Sequence, residues 1–172
     1  MATGRHAARL PKCPTLPRSI LADEMQSWRR FWSLTAADRV IVMEAGALMV
    51  FIRLFLKTAP FLLIRRALRA YARIARVRHP TVDDAHVARV AWGVPAAARR
   101  LPFRATCLIE SLAAEAMLMR RGVPCVLRLG VRPPDQQGAL DAHAWIECRG
   151  GVVAGVVDRL QDYAVLAGAP RS

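Results

Sequence analysis

The hydrophobic positions of the chain follow two different periods, and the change between them falls near residue 121. Before it, apolar residues recur three or four positions apart, as on one face of a helix. After it, apolar and polar residues alternate, as on a strand with one buried face. The pattern predicts an α+β protein with a helical N-terminal half and a small antiparallel sheet.

Capping residues and prolines set the bounds of the first three predicted helices. Thr35 and Thr81 are each followed by an aspartate three positions on, a pattern that opens a helix. A second helix begins at Pro60 and ends at His79-Pro80, because the residue before a proline disfavours helical backbone. Pro95 is expected to kink or divide the third helix.

The fourth predicted helix has signals at both ends. Thr106 is placed to cap a helix that runs from Cys107 to Arg121. Gly122 suits the left-handed conformation that follows many helices, and Pro124 prevents continuation. Cys107 is therefore expected at a helix N-terminus.

The strands follow this helix. The first starts after Pro124, and residues 133–138 form a loop. Asp141 to Cys148 and Val152 to Asp158 are expected to form a hairpin that turns at Arg149-Gly150-Gly151. The resulting antiparallel sheet is predicted to pack against the fourth helix.

The length and composition suit one folded unit. The chain has 172 residues, of which 54% are hydrophobic and 23% charged, enough for one hydrophobic core. We expect a flexible basic N-terminus at 1–18, a helical region at 19–100 and a catalytic core at 101–172, with 19–172 forming one compact unit.

The cysteines do not suggest a structural metal or a disulfide framework. They are Cys13, Cys107, Cys125 and Cys148, and no two of them form a CxxC pair. No phosphate-binding glycine loop is present either, so we expect no cofactor. The N-terminus lacks the apolar stretch of a secretory signal, which favours the cytoplasm.

The segment 40–64 is strongly apolar and must be considered as a membrane span. Glu44, Arg53 and Lys57 interrupt it and Pro60 breaks it, whereas a span needs roughly 20 apolar residues. We therefore expect a helix buried in protein, with peripheral membrane contact as the alternative.

The net charge of +13 favours an acidic partner or surface. Arginines crowd the second helix, but no interleaved aromatic residues or nucleic-acid motif accompany them. We expect no specific nucleic-acid binding, and the plain alternative is an arginine-rich composition.

Cys107 and His143 are the candidates for a nucleophile and its base. The N-H groups and dipole at a helix N-terminus favour a thiolate, and an imidazole can take the thiol proton. Packing is the alternative for Cys107, because Leu108 and Leu112 resemble core residues. For His143, which lies on a strand beside small residues, the alternative is a buried structural histidine.

Hairpin geometry nominates a third catalytic residue. If Gly150-Gly151 form the turn, Asp158 lies directly opposite His143 and can accept the proton of Nδ1. If Arg149-Gly150 form it instead, His143 faces Val156. The reserve carboxylates are then Asp141 and Asp162. On the strand, Trp145 and Glu147 share the face of His143 and are expected to shape a pocket.

Several short motifs, in this order, resemble the B-type proteins of lasso-peptide biosynthesis, which are leader peptidases of the transglutaminase-like superfamily. The motifs in the catalytic half are Arg99-Arg100-Leu101-Pro102, Ala105-Thr106-Cys107-Leu108, Leu118 to Pro124, Leu129-Gly130-Val131 and Ala142 to Glu147. In the helical half, Arg29-Arg30-Phe31 and Pro60-Phe61 are similar too.

The resemblance implies a transglutaminase-like, papain-like cysteine peptidase with Cys107 as nucleophile and His143 as base. It further implies a precursor peptide as substrate, a small leader-recognition protein acting in trans, and a lasso cyclase as associates. The family's aspartate is expected about a dozen residues after the histidine, where this chain has Ala154-Gly155. Asp158 is therefore nominated on geometry alone.

Two further functions stay open at this point. Acyl transfer to an amine uses the same Cys-His-Asp arrangement, and fold alone does not exclude it. The other is a non-catalytic basic adaptor protein, in which Cys107 is only a packed core residue.

Overall fold

The computed structural model describes residues 31–76, 84–133 and 141–166. The chain divides into two units, Met1–Ser33 and Leu34–Ser172. In the first unit, the rings of Phe31 and Trp32 meet edge to face with centroids 5.8 Å apart. The flexible terminus expected at 1–18 lies outside the described residues. The elements below all belong to the second unit.

The described part of the second unit begins with helices. They are α1 (Ala36–Phe55), α2 (Phe61–Ile74), α3 (Asp84–Ala98) and α4 (Cys107–Arg120). The Thr35 side chain accepts a hydrogen bond from the Asp38 N-H at 3.2 Å, which confirms the predicted start of α1. Pro95 lies inside α3 without dividing it. The predicted cap Thr81 lies outside the described residues.

One four-stranded sheet follows the helices. Its strands are β1 (Cys125–Arg132), β2 (Asp141–Cys148), β3 (Gly151–Ala154) and β4 (Ala164–Val165). They lie in the order β3-β2-β1-β4, and each neighbouring pair is antiparallel. This arrangement confirms the α+β class, although β4 was not predicted.

The hairpin between β2 and β3 turns one residue earlier than its glycines suggested. Cys148 pairs with Gly151, so Arg149 and Gly150 form the turn, with φ of 51° and 82°. Positive φ at both central residues is the requirement of a type I′ turn, whose twist matches that of the strands. Of the two registers that the sequence allowed, the structure therefore has the Arg149-Gly150 turn and not the Gly150-Gly151 turn on which the nomination of Asp158 depended.

The strand β3 is also shorter than predicted. It ends at Ala154 instead of continuing to Asp158, because Gly155 adopts φ +74° and leaves the extended region.

The helix α4 is the core element of this unit. Its residues from Ile109 to Leu118 are all buried except Glu110, and it packs against α1, α2 and α3 as well as against the sheet. A helix that is apolar on nearly all sides must be covered on all sides. The first turn of α4, with Cys107, therefore has its position set by the core.

Buried charges tie α4 to the earlier helices. The Glu44 carboxylate, which is 8% exposed, accepts hydrogen bonds from Arg121 at 2.6 Å and Arg120 at 2.8 Å. In α2, Arg65 bonds to Glu115 of α4 at 2.5 Å, and both side chains are nearly buried. Glu44 thus serves as a buried ion-pair partner inside the apolar segment 40–64.

The helix α1 has one buried and one exposed apolar face. The buried face includes Ala45, Met49 and Ile52, each fully buried. The opposite face exposes large side chains, among them Val40, Met43, Val50 and Leu54. In the described residues, no helix combines the length and the apolar character required to cross a membrane.

Glu44→Gln is expected to destabilise the protein by about 3 kcal/mol, since removing the charge of Glu44 leaves Arg121 buried without a counter-ion. Urea unfolding followed by circular dichroism measures this change.

The matched control is Asp84→Asn, because Asp84 forms an exposed ion pair with Arg149. Such a pair contributes about 1 kcal/mol or less. Equal losses of stability for the two variants would contradict a special role for the Glu44 cluster.

Candidate active site

Cys107 occupies the first position of α4. Thr106 precedes it with extended backbone, and the Thr106 side chain accepts a hydrogen bond from the Ile109 N-H at 3.4 Å. Cys107 itself is half-buried. The predicted cap and helix start are confirmed, so the thiol lies at a helix N-terminus, where the first N-H groups have no partner within the helix.

A buried hydrogen bond fixes the start of α4 against β2. The Ser111 hydroxyl donates to the Ala144 carbonyl oxygen at 3.0 Å, and both residues are buried. Ser111 lies one helical turn after Cys107, and Ala144 is the neighbour of His143. The contact therefore brings the turn that carries the cysteine to the strand that carries the histidine.

His143 lies on β2 among aromatic rings. Its ring is stacked with that of Trp145, with centroids 6.1 Å apart, and lies 5.4 Å from that of Tyr163. On β1 its pairing partner is Gly130. A Cβ at Gly130 would lie 2.8 Å from the Trp145 ring and 3.0 Å from the Tyr163 Cβ, so the glycine makes room for both rings.

One ring nitrogen of His143 is bound to the backbone. Its Nε2 lies 2.7 Å from the carbonyl oxygen of Gly155. A carbonyl only accepts hydrogen bonds, so Nε2 must carry the proton that is shared. In the neutral ring, Nδ1 is then the basic nitrogen.

Tyr163 lies beside His143, one of the two candidate catalytic residues. Its hydroxyl donates a 2.7 Å hydrogen bond to Asp141. This bond is the main reason that the pKa of Tyr163 is raised, and the nearby Cys107 charge contributes to the same shift. The Tyr163 ring lies 5.4 Å from that of His143.

Trp145 is held in place by Glu147. The indole Nε1 donates to one carboxylate oxygen of Glu147 at 3.0 Å, and Arg128 donates to the other at 3.0 Å. Burial alone would raise the pKa of Glu147, but the hydrogen bonds from Trp145 and Arg128, with the Arg128 charge, lower it. Glu147 thus anchors the ring beside His143 as a carboxylate.

The structure places Asp158 away from a strand pairing with His143. The hairpin has the Arg149-Gly150 turn, and a bulge then shifts the pairing by one residue between Ile146 and Glu147. Asp158 follows the end of β3, in an exposed turn. The pairing on which its nomination depended is therefore absent, and Asp158 as third catalytic residue stays a prediction.

The reserve carboxylates have other surroundings. Asp141 accepts hydrogen bonds from Arg132 at 2.8 Å and from Tyr163 at 2.7 Å. Asp162 is exposed in the short 3₁₀ helix Leu160–Asp162. Within the described residues, the ring nitrogens of His143 have no hydrogen bond to a carboxylate.

The other described cysteines are less suited to nucleophilic chemistry. Burial raises the pKa of the Cys125 thiol to about 12, and the nearby Glu115 charge adds to this effect. Burial also raises the pKa of Cys148. In the described part of the chain, no three His, Cys, Asp or Glu side chains are grouped to hold a metal ion.

Comparison with known proteins identifies the family. A family model described as the transglutaminase-like superfamily matches residues 47–168, and the chain belongs to that superfamily. Membership fits either a cysteine peptidase or an acyltransferase. No curated protein and no solved structure matches the chain.

The sequence did not indicate Tyr163, Arg132 or Gly155 as parts of the site. Arg132 gave a weak signal as a basic residue at the end of the first predicted strand, whereas Tyr163 lies beyond the last predicted strand. Gly155 stood near the position where the family's aspartate is expected, but its residue type gave no signal, because it takes part through its backbone oxygen.

Iodoacetamide at pH 8 is expected to label Cys107 first in a Cys13→Ser background. With a pKa of about 12, Cys125 is ionised in only about one molecule in ten thousand at that pH, and the thiolate is the reactive form. Peptide mass spectrometry of timed, quenched samples measures each rate.

A Cys107→Ala control should lose the fast labelling. Faster labelling of Cys125 or Cys148, or a Cys107 rate no higher than that of a model thiol, would favour the adaptor function.

Proposed function

We propose that the protein is a cysteine peptidase that removes the leader from a ribosomally made lasso-peptide precursor. The observation that carries the proposal is Cys107 at the start of α4, with the Ser111–Ala144 bond holding that turn beside His143. Membership of the transglutaminase-like superfamily supports the chemistry. The motif resemblance supports the choice of substrate.

The first half of the reaction forms a thioester. Nδ1 of His143 takes the proton of the Cys107 thiol, and the sulfur bonds to the scissile carbonyl carbon. The carbonyl oxygen becomes negative near the first N-H groups of α4, which have no partners within the helix. The C–N bond then breaks, and the leaving amine takes the proton from His143.

The second half is hydrolysis. Water gives a proton to His143 as its oxygen bonds to the thioester carbon. When the C–S bond breaks, the leader leaves with a new C-terminal carboxyl group and Cys107 regains its proton from His143. The amine released in the first half is the new N-terminus that a cyclase would join to a side-chain carboxylate.

The proposal includes two associated proteins, a small leader-recognition protein and the cyclase. The exposed arginines of α2, Arg66 and Arg73, offer charge for an acidic partner. Arg65 is excluded from that surface, since it is buried against Glu115. The exposed apolar face of α1 supplies a contact area of the kind that protein partners cover.

Cys107→Ala is expected to abolish cleavage of the precursor in the presence of the leader-recognition protein. His143→Ala should reduce kcat by roughly 10²- to 10⁴-fold, the usual contribution of a general base. Mass spectrometry of the peptide products measures both effects.

The control is Cys125→Ala, which removes a thiol whose pKa of about 12 keeps it protonated, and it should retain activity. A shortened peptide with a free terminus is the expected product. An amine adduct would establish acyl transfer instead, and leader cleavage by Cys107→Ala would refute the mechanism.

A further inference from the structure

The geometry points to the Gly155 carbonyl as the group that orients the catalytic imidazole, and we propose that it takes the position of the third catalytic side chain. The role of this carbonyl in catalysis rests on the proposed function, whereas the hydrogen bond between His143 and Gly155 does not. Gly155 is a positioning residue, because it acts on the substrate only through His143.

The backbone path that brings this carbonyl to His143 is specific. The bulge opposite Ile146 and Glu147 shifts the end of β3, and Gly155 then turns the chain with φ +74°. A Cβ at Gly155 would collide with the Ala144 carbonyl oxygen and lie 2.9 Å from the Trp145 Cα. Only glycine allows this close approach to β2 together with this backbone conformation.

A third catalytic residue has two tasks. It fixes the tautomer of the imidazole, and it stabilises the imidazolium that forms during the reaction. A carbonyl at 2.7 Å from Nε2 performs the first task fully, because it can only accept. It stabilises the imidazolium less strongly than a carboxylate would, because the carbonyl oxygen carries only a partial charge. A hydrogen bond to an ionised acceptor is roughly twice as strong as one to a neutral acceptor.

A cysteine nucleophile reduces the need for a full negative charge at that position. Proton transfer from Cys107 to His143 creates a thiolate together with the imidazolium, so the ring gains an anionic partner on its other side. The described carboxylates nearest in sequence are engaged or exposed. Asp141 binds Arg132 and Tyr163, Glu147 binds Trp145 and Arg128, and Asp158 and Asp162 lie at the surface.

The tautomer can be measured without any substrate. In ¹⁵N-histidine-labelled Cys107→Ala protein, at a pH where the imidazole is neutral, long-range ¹H–¹⁵N spectra should show the His143 proton on Nε2. A His143→Gln sample assigns the signal, and His86 serves as an internal comparison. A proton on Nδ1 would overturn the proposal.

The Gly155 carbonyl can be made a weaker hydrogen-bond acceptor without changing any side chain. An ester in place of the Gly155–Val156 peptide bond makes the Gly155 oxygen a poorer acceptor, and an ester at the Val156–Val157 bond is the matched control. Loss of part of one hydrogen bond should slow Cys107 alkylation and lower kcat for the leader by roughly 3- to 10-fold, with KM little changed. The control ester should stay within about twofold.

Asp158→Asn separates this proposal from a carboxylate triad. If the carbonyl orients His143, the variant keeps the wild-type pH dependence of Cys107 alkylation and loses at most about twofold in rate. A much larger loss in Asp158→Asn, or an ester at Gly155–Val156 without effect, would overturn the proposal. A protein that shows the Nε2 tautomer and the ester effect on alkylation but cuts no leader would refute the proposed function alone.

Discussion

The helix α4 lies between the other helices and the sheet, and its burial determines the position of both its ends. Almost every residue from Ile109 to Leu118 is inaccessible to solvent, so the helix cannot slide or rotate without exposing apolar surface or colliding with its neighbours. Cys107, the candidate nucleophile at its first position, is held by the packing of the residues that follow it, beginning at Ile109. Precise placement of a reactive group on a rigid element is what positioning in catalysis requires.

The buried polar side chains at and beside this helix also limit its rotation, because each one bonds to a partner in a fixed direction. Ser111 bonds to β2, Glu115 to α2, and Arg121 at the end of α4 to α1. Each is buried, and each would carry a desolvation cost without its partner. Together they fix the rotation of α4 as well as its depth, which apolar packing alone does less strictly.

Local signals were sufficient for much of the fold. The start of α4 after Thr106 and the bounds of β2 followed from capping and alternation, since both depend on neighbouring residues only. The β2–β3 turn was different, because Arg149-Gly150-Gly151 offers two registers and the observed one requires positive φ at an arginine. Its choice depends on the twist of the paired strands, which the local sequence does not contain.

The candidate site was predictable to a similar extent. Cys107 and His143 could be nominated from their positions on a helix start and a strand. Tyr163 and Gly155 could not, because they reach His143 through tertiary contacts on either side of the short 3₁₀ helix. Asp158 was nominated by counting from a Gly150-Gly151 turn, whereas the hairpin turns at Arg149-Gly150 and also contains a bulge. Bulges add one residue and so defeat any count across them.

The bond between His143 and the Gly155 carbonyl affects how members of this superfamily should be sorted into active and degenerate enzymes. A sort by residue type alone asks whether an acidic or amide side chain lies about a dozen residues after the histidine. This chain has glycine near that point, and by residue type alone it would be grouped with proteins that have lost their chemistry. A hydrogen bond from the main chain is invisible to that criterion, whereas a glycine at a forced left-handed position is a sequence trace that can be searched for.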